Sequence, residues 1–328
     1  MLTKEEIKKY LSAFRNKRVM VIGDASIDRI VRGKVKRVSP DAPVPLLSVE
    51  QDISHVGGIG KVIKNIYELG GEVDLLTCIG NDYEGKFFLK EIKKYNIGTK
   101  GVFQFPILTP TIIRFKTKQQ QLLRVEKDYD IPDNLLNEVK NKLLKFLTER
   151  LSRCDAVLIL DYGIGLLTPF LITQIIEIVK DQGKMLIVRP EAGKEYLYNN
   201  VDLVSMNRNE ASRATKIENV NETSMRIIGK KILHELSSKS VFIPWIEGDS
   251  YYFQDEKVSK IPSLFNHPAK HTSNIGSATL AAISLMLASE FSLEKSALMG
   301  HFSGSIAALR NCVDKKDFLE VLDNGTFC

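Results

Sequence analysis

Apolar residues in this chain fall into two arrangements that take turns along it. One is the short unbroken run of strand length: RVMVIGDASID (18–28), VDLLTCIG (73–80), AVLILDYG (156–163), MLIVRP (185–190), VDLVSMN (201–207) and SVFIPWI (240–246). The other is the three-to-four-residue spacing of an amphipathic helix, over 60–70, 83–95, 134–151, 168–182, 208–215 and 223–237. Unbroken apolar runs belong to strands covered on both faces, so the alternation predicts an α/β/α sandwich around a mainly parallel sheet. Thr3 and Glu6 have the spacing of a capping box and predict a first helix over 4–15. The last third departs from the rhythm, with helices over 276–289 and 293–309 in direct succession.

Two stretches interrupt the alternation with β-branched, period-two character. They are RIVRGKVKRVSPDAPVPLLSVE (29–50) and a segment of about 107–128 centred on PTIIRFKTKQQQLLRVEK (110–127). Both lie between main strands and predict a small extra sheet, a β-lid over the carboxyl ends of the central strands, where open α/β sheets bind ligands. The alternative is an extension of the edge of the central sheet. No internal repeat, low-complexity segment or Pro/Gly/Ser linker divides the chain, so one domain over 1–328 is expected.

Composition narrows the function classes. The 328 residues are 44% hydrophobic and 26% charged, ordinary for a globular protein. The net charge of +6 is scattered among acids, and no basic stripe carries interleaved aromatics, which argues against nucleic acid and for small anionic partners. Cys78, Cys154, Cys312 and Cys328 are widely spaced, form no CxxC pair and read as reduced thiols. The opening MLTKEEIKKYLSAF is too charged for a signal peptide, and no run reaches the length of a membrane span. A cytoplasmic protein is expected.

The motifs GDASIDRI (23–30), RVSPDAPVPLL (37–47), HVGGIGKVIKNIYELG (55–70), PTIIRFKTKQQQLLRVE (110–126), LDYGIGLLT (160–168) and MNRNEA (206–211) follow one another in this order. That order and spacing resemble the ribokinase/PfkB sugar kinases, and among them the heptose 7-phosphate kinases. The resemblance covers about 18 to 312 and implies a ribokinase-like three-layer domain with a β-lid, often shared across a homodimer. It also implies ATP and Mg²⁺ as cofactors and attack of a sugar hydroxyl on the γ-phosphate. Such a reaction needs a carboxylate to take the hydroxyl proton, helix N-terminal N–H groups to hold the phosphoryl, and polar side chains for sugar and metal.

HTSNIGS (271–277) stands where the family carries its catalytic loop, D-x-T-G-A-G-D. The resemblance puts Ser277 in the place of the general-base aspartate, Gly276 at the second glycine and Asn274 at a glycine. A serine hydroxyl is too weak a base near pH 7, and loss of a positioned base lowers rates about 10²–10⁴-fold. Asn274 adds a Cβ where backbone must approach phosphate, and constrains a left-handed turn there. His271 and His301 are candidate substitutes for the base. On the sugar side, the resemblance assigns Asp28, Gly57, Gly58, Gln121, Arg124 and Asp161 to substrate, while Lys61 replaces an Asn and can pair with phosphate or with Asp28. On the nucleotide side, Asn207 and Glu210 keep the N-x-x-E pattern linked to phosphate and hydrated Mg²⁺, Glu210 acting through water at best and no metal ligand being certain. The same two residues also spell an ordinary helix cap. Arg189 and Glu191 reverse the family's Asp and Lys, so that Glu191 repels phosphate; Ile164 replaces a Lys; Pro244 and Trp245 narrow or fill the space under the nucleotide.

Scaffold signals survive and the residues needed only for phosphoryl transfer fail. The expectation is a heptose-kinase-like fold with lost or strongly impaired phosphotransfer, a pseudokinase that retains a sugar phosphate or a protein partner. A divergent active ATP-dependent sugar kinase with a relocated base is the alternative, and a dimeric scaffold without ligand is a third reading from another class.

Overall fold

The computed structural model describes residues 2–95, 97–218, 220–264, 272–310 and 313–323. The strands are β1 (Arg18–Gly23), β2 (Ala25–Val38), β3 (Pro45–Gly58), β4 (Glu72–Gly80), β5 (Val102–Phe105), β6 (Thr111–Lys116), β7 (Gln121–Lys127), β8 (Ala156–Leu160), β9 (Met185–Arg189), β10 (Leu203–Ser205), β11 (Ser240–Ile243), β12 (Ser250–Gln254) and β13 (Lys257–Ile261). The helices are α1 (Lys4–Ala13), α2 (Gly60–Glu68), α3 (Tyr83–Lys93), α4 (Asp133–Arg150), α5 (Pro169–Asp181), α6 (Arg208–Thr215), α7 (Glu222–Glu235), α8 (Ile275–Ala288), α9 (Leu293–Arg310) and α10 (Lys315–Asp323). The predicted capping box at Thr3 and Glu6 is present.

Among the described residues nine strands form one sheet in the order β13-β12-β11-β10-β9-β8-β1-β4-β5. It is parallel from β11 to β5, and β12 and β13 add an antiparallel edge hairpin. Along β1 the side chains divide between two cores: Val19 and Val21 pack with α1, α2, α8 and α9, while Met20 and Ile22 pack with α4, α5 and α7. Burial on both faces explains the unbroken apolar runs, since a strand with no wet face has no polar alternation to display. Cys78 and Cys154 are free and buried; Cys312 and Cys328 lie outside the described residues. No helix among the described residues is long and apolar enough to cross a membrane.

The two predicted excursions pair with each other rather than with the central edge. β3, β2, β6 and β7 make a separate four-stranded sheet, β2 antiparallel to β3 and parallel to β6. It reaches beyond 29–50, to Ala25 and Gly58. The run 18–28, read as a single strand, is split at Gly23. Its φ of 152° and close approach to Leu160, whose carbonyl oxygen would lie 2.1 Å from an added Cβ, turn the chain from one sheet into the other.

Candidate functional site

The junction between the sheets is built around one buried acid. Asp24 is fully buried, and its carboxylate accepts hydrogen bonds from the backbone N–H of Tyr162 (3.0 Å), Leu166 (3.3 Å) and Ile164 (3.5 Å). These bonds hold the loop that follows β8 against the end of β1. Burial pushes the Asp24 carboxyl up to about 7, against the pull of the three N–H donors. Gly58, at φ 51°, lies so close that a Cβ would sit 2.2 Å from the Asp24 carbonyl oxygen. A Cβ on Gly57 would sit 2.7 Å from the Ser26 hydroxyl and 3.1 Å from the Asp28 carboxyl carbon. The glycine pair thus serves the closure of β3 onto β2.

Two of the cavities that open on this junction share a boundary. The larger, about 640 Å³, is lined by Arg189, Asn207, Arg208, Glu210, Trp245 and the first turn of α8. The smaller, about 340 Å³, lies under the four-stranded sheet and is lined by Ser26, Asp28, Gly58, Lys61, Arg114 and Arg124. Tyr162, Ser273 and Ser277 line both. The larger volume is within the usual range of small-molecule sites, about 300–1,000 Å³.

In the smaller cavity Asp28 accepts hydrogen bonds from Lys61 Nζ (3.2 Å) and Arg114 Nη1 (2.9 Å). Burial pushes its carboxyl up, but the charges and hydrogen bonds of Lys61 and Arg114 outweigh this and hold it below its ordinary value. Of the two roles read for Lys61, pairing with Asp28 is the one present. Arg114, which sequence reasoning missed, enters through β6. Its signal was the parallel register that sets Ile30 beside Arg114, and register is a tertiary property. Arg124 pairs with Glu126 on the cavity wall. Gln121 is exposed at the start of β7 and lines neither cavity. Asp161 also lines neither: its carboxylate accepts from the Tyr198 hydroxyl (2.7 Å) and the Gly163 N–H (2.9 Å), a buried brace for the same loop.

The loop before α8 is tied to α2. Asn274 and Asn65 exchange side-chain amide bonds of 3.0 and 3.3 Å in a buried pair, and Lys61 Nζ donates to the Ser273 carbonyl (3.4 Å). Asn274 has φ −116° and ψ −4°, right-handed backbone, so the expected left-handed turn is not there. Its side chain makes no cap on α8, because it is spent on Asn65. Gly276 lies in the first turn of α8 with open space around it, and Ser277 follows at the meeting of the cavities.

On the other wall, Asn207 caps α6 in a capping box with Glu210: each accepts the other's backbone N–H, at 2.9 Å. The second oxygen of Glu210 accepts from Arg189 Nη2. Arg189 also donates to the Asp161 carbonyl (3.2 Å) and lies 4.7 Å from the centre of the Tyr162 ring. Glu191 pairs with Lys194 (2.7 Å) and lies against Gly163, behind the wall of the smaller cavity rather than on it. Pro244 and Trp245 stand on the wall, with the Arg208 guanidinium 4.0 Å from the Trp245 ring centre, and leave the cavity open. His301 is buried in α9, bonds Ser250 Oγ through Nδ1 (2.8 Å), is pushed down to about 4 by burial, and lines neither cavity. His271 lies outside the described residues. Among the described residues no group of three or more His, Cys, Asp or Glu side chains is placed to hold a metal ion.

The arrangement has counterparts among known proteins. The pattern of the pfkB family carbohydrate kinases matches residues 16–314. Bifunctional protein HldE from Campylobacter fetus is 30% identical over 294 residues, covering 88% of this chain and 62% of that protein. HldE from Helicobacter pylori is 35% identical over 204 residues, covering 62% of this chain and 44% of that protein. The chain thus spans at most 62% of the length of these curated relatives. Arabidopsis thaliana ribokinase complexed with ribose and ATP superposes at a TM-score of 0.75 with 17% identity, covering 94% of this chain and 99% of that one. Escherichia coli phosphofructokinase-2 in complex with fructose-6-phosphate gives 0.74 at 17% identity, with the same coverage. At these identities the structures share the fold, which is ribokinase-like. The two-cavity junction under a small second sheet therefore sits in a chain that belongs to the pfkB family of carbohydrate kinases.

Proposed function

We propose that this chain is a heptose 7-phosphate kinase-like protein in which ATP-dependent phosphotransfer is lost or strongly impaired while a sugar-phosphate cavity is kept. The observation that carries the reading is the setting of Ser277. The residues common to the two cavities are Tyr162, Ser273 and Ser277, and none is a carboxylate. A sugar hydroxyl attacking a phosphoryl group at that boundary has a hydroxyl beside it in place of a base. Asp28 is a poor substitute, since Lys61 and Arg114 stabilise its ionised form and weaken it as a proton acceptor. The relocated-base alternative loses His301 to the core.

Ligand retention has separate support. Lys61, Arg114, Arg124 and Lys127 line the smaller cavity against Asp28, Glu126 and Asp128, a balance suited to an anionic sugar. Mg-ATP and heptose 7-phosphate in a coupled ADP-release assay test the proposal. The expected outcome is no ADP above the sugar-free blank, together with a rise in melting temperature on adding heptose 7-phosphate alone. Sugar-dependent steady turnover overturns it.

The four-stranded sheet also reads as a dimerisation lid. The β2–β6 and β6–β7 registers put Leu123 and Val125 on the face opposite Asp28, and Val35 and Val49 share that face through the β2–β3 pairing. They are 55%, 36%, 41% and 57% exposed, an apolar strip on that face. The expected species in sedimentation analysis is a homodimer that Val49→Lys with Leu123→Lys converts to monomer; an unchanged mass in the double variant removes the lid from the interface.

A further inference from the structure

The residues of the larger cavity do not fit the hydrated Mg²⁺ that the family implies. Glu210 is the acid that would hold it, and each of its oxygens already accepts a hydrogen bond, one from the Asn207 N–H and the other from Arg189. The water shell of an ion would have to share both oxygens with these bonds. A divalent ion at Glu210 would also face the fixed positive charge of Arg189, and like charges a few ångströms apart repel strongly in a partly buried site.

We infer that Arg189 takes over the charge-neutralising place of the metal, so that this cavity binds an anionic phosphate ligand, such as the polyphosphate of a nucleotide, without Mg²⁺. The inference rests on reading the larger cavity as the nucleotide side. Three observations converge on it. Arg189 lines the cavity, and two of its N–H donors are committed, to Glu210 and to the Asp161 carbonyl. A guanidinium has five, so three remain for phosphate oxygens. Its orientation is fixed by Tyr162 on one side and Glu210 on the other, which preorganises the fork before any ligand arrives. The facing wall is the first turn of α8, which carries no side-chain cap, with Gly276 open to the cavity; its backbone N–H groups supply further donors to an anion. Thr279, fully buried on the same wall, has a hydroxyl with no partner among the described residues.

The experiment is calorimetric titration of the full chain with ATP, and separately with inorganic pyrophosphate, first in EDTA and then in excess Mg²⁺. Wild type is expected to bind in EDTA, and to bind equally or more weakly when Mg²⁺ is present. Arg189→Asp, which removes the cation and frees Glu210, is expected to lose at least about tenfold in affinity in EDTA and to recover it on adding Mg²⁺, since a charge-assisted bond is worth that much. Wild-type binding at least about tenfold tighter with Mg²⁺ than without overturns the inference, as does no binding of either probe under both conditions. The wild-type comparison decides the matter even if the variant fails to fold. ADP release is a separate readout: absence of turnover with Mg²⁺-dependent binding sinks this inference alone, while turnover sinks the loss of phosphotransfer.

Discussion

The double variant Ser277→Asp/Arg189→Asp will turn over ATP with a sugar phosphate at least about 10²-fold faster than wild type, and each single variant will gain less than about tenfold. In the proposed reading, two separate deficits stand between this site and phosphoryl transfer. At the junction of the cavities Ser277 supplies a hydroxyl where a proton must be accepted. On the far wall Glu210, the acid the family pattern assigns to the hydrated metal, is already bonded to Asn207 and Arg189. Ser277→Asp alone restores a base with no metal for the charge that develops on the phosphoryl oxygens. Arg189→Asp alone frees Glu210 and adds a second acid, yet leaves the hydroxyl proton without an acceptor. Because the base and the metal act in one step, their effects should combine far from additively. Phosphate-release and ADP-release assays on the four proteins, at saturating Mg-ATP, measure this. A hundredfold gain from Ser277→Asp alone would mean that Arg189 does not obstruct the metal; no gain from the pair would place the main deficit elsewhere, with Ile164 on the wall of the smaller cavity the next position to change.

Gly58→Ala will lower the free energy of unfolding by about 3 kcal/mol or more, while Gly276→Ala will leave it unchanged or raise it by up to about 1 kcal/mol. Left-handed backbone costs about 1–2 kcal/mol for a residue with a Cβ. Gly58 is in that region at φ 51°, and the new Cβ would meet a backbone oxygen at 2.2 Å rather than a side chain that can swing away. Relief requires Asp24 to shift, and Asp24 is the buried acid whose three backbone bonds hold the loop containing Tyr162 and Gly163. Gly276 has the opposite surroundings: the first turn of a helix, nothing within 4 Å of a Cβ, and a helix propensity that favours Ala. Denaturant unfolding of both variants checks the pair. A loss below about 1 kcal/mol at Gly58 would show that the sheet junction can yield. The contrast sharpens the assignment of the glycines: Gly58 belongs to the fold, and Gly276 is free to face a ligand.

Much of the architecture was legible because unbroken apolar runs of strand length alternate with stretches of helical period. Run length separates the buried strands from the helices, and the helices over 60–68, 169–181, 208–215 and 222–235 fall within two residues of their predicted ends. The edge hairpin was not seen. β12 and β13 are joined by Asp255 and Glu256, with Asp255 at φ 49°, a two-residue turn without the glycine that usually announces one. β5 is four residues long, too short for a period to establish itself. The split at Gly23 was hidden because a strand continuing into another sheet reads like a longer strand.

The candidate site was legible as a set of positions and much less as a set of contacts. Asp28, Lys61, Arg124, Asn207, Glu210, Gly276 and Ser277 all reach one or other cavity. Asp161, Gln121 and Glu191 do not, because what a side chain faces depends on partners far away in the chain: Tyr198 for Asp161 and Lys194 for Glu191. Residue type shows that Arg189 has changed sign; only the fold shows that it meets Glu210 and spends it. Asn274 is the clearest case. As a letter it replaces a glycine and suggests a strained turn, and in space it is half of a buried amide pair with Asn65 that fixes the loop without strain.

The proposed loss of phosphotransfer requires that Ser277 accept no proton and that no other group do so in its place. Single-turnover transfer of label from γ-labelled ATP to heptose 7-phosphate, with the protein in excess and Mg²⁺ present, is the decisive measurement. Wild type and Ser277→Ala should transfer label at the same rate, indistinguishable from the protein-free mixture. A burst of labelled sugar phosphate with wild type that Ser277→Ala lacks would contradict it.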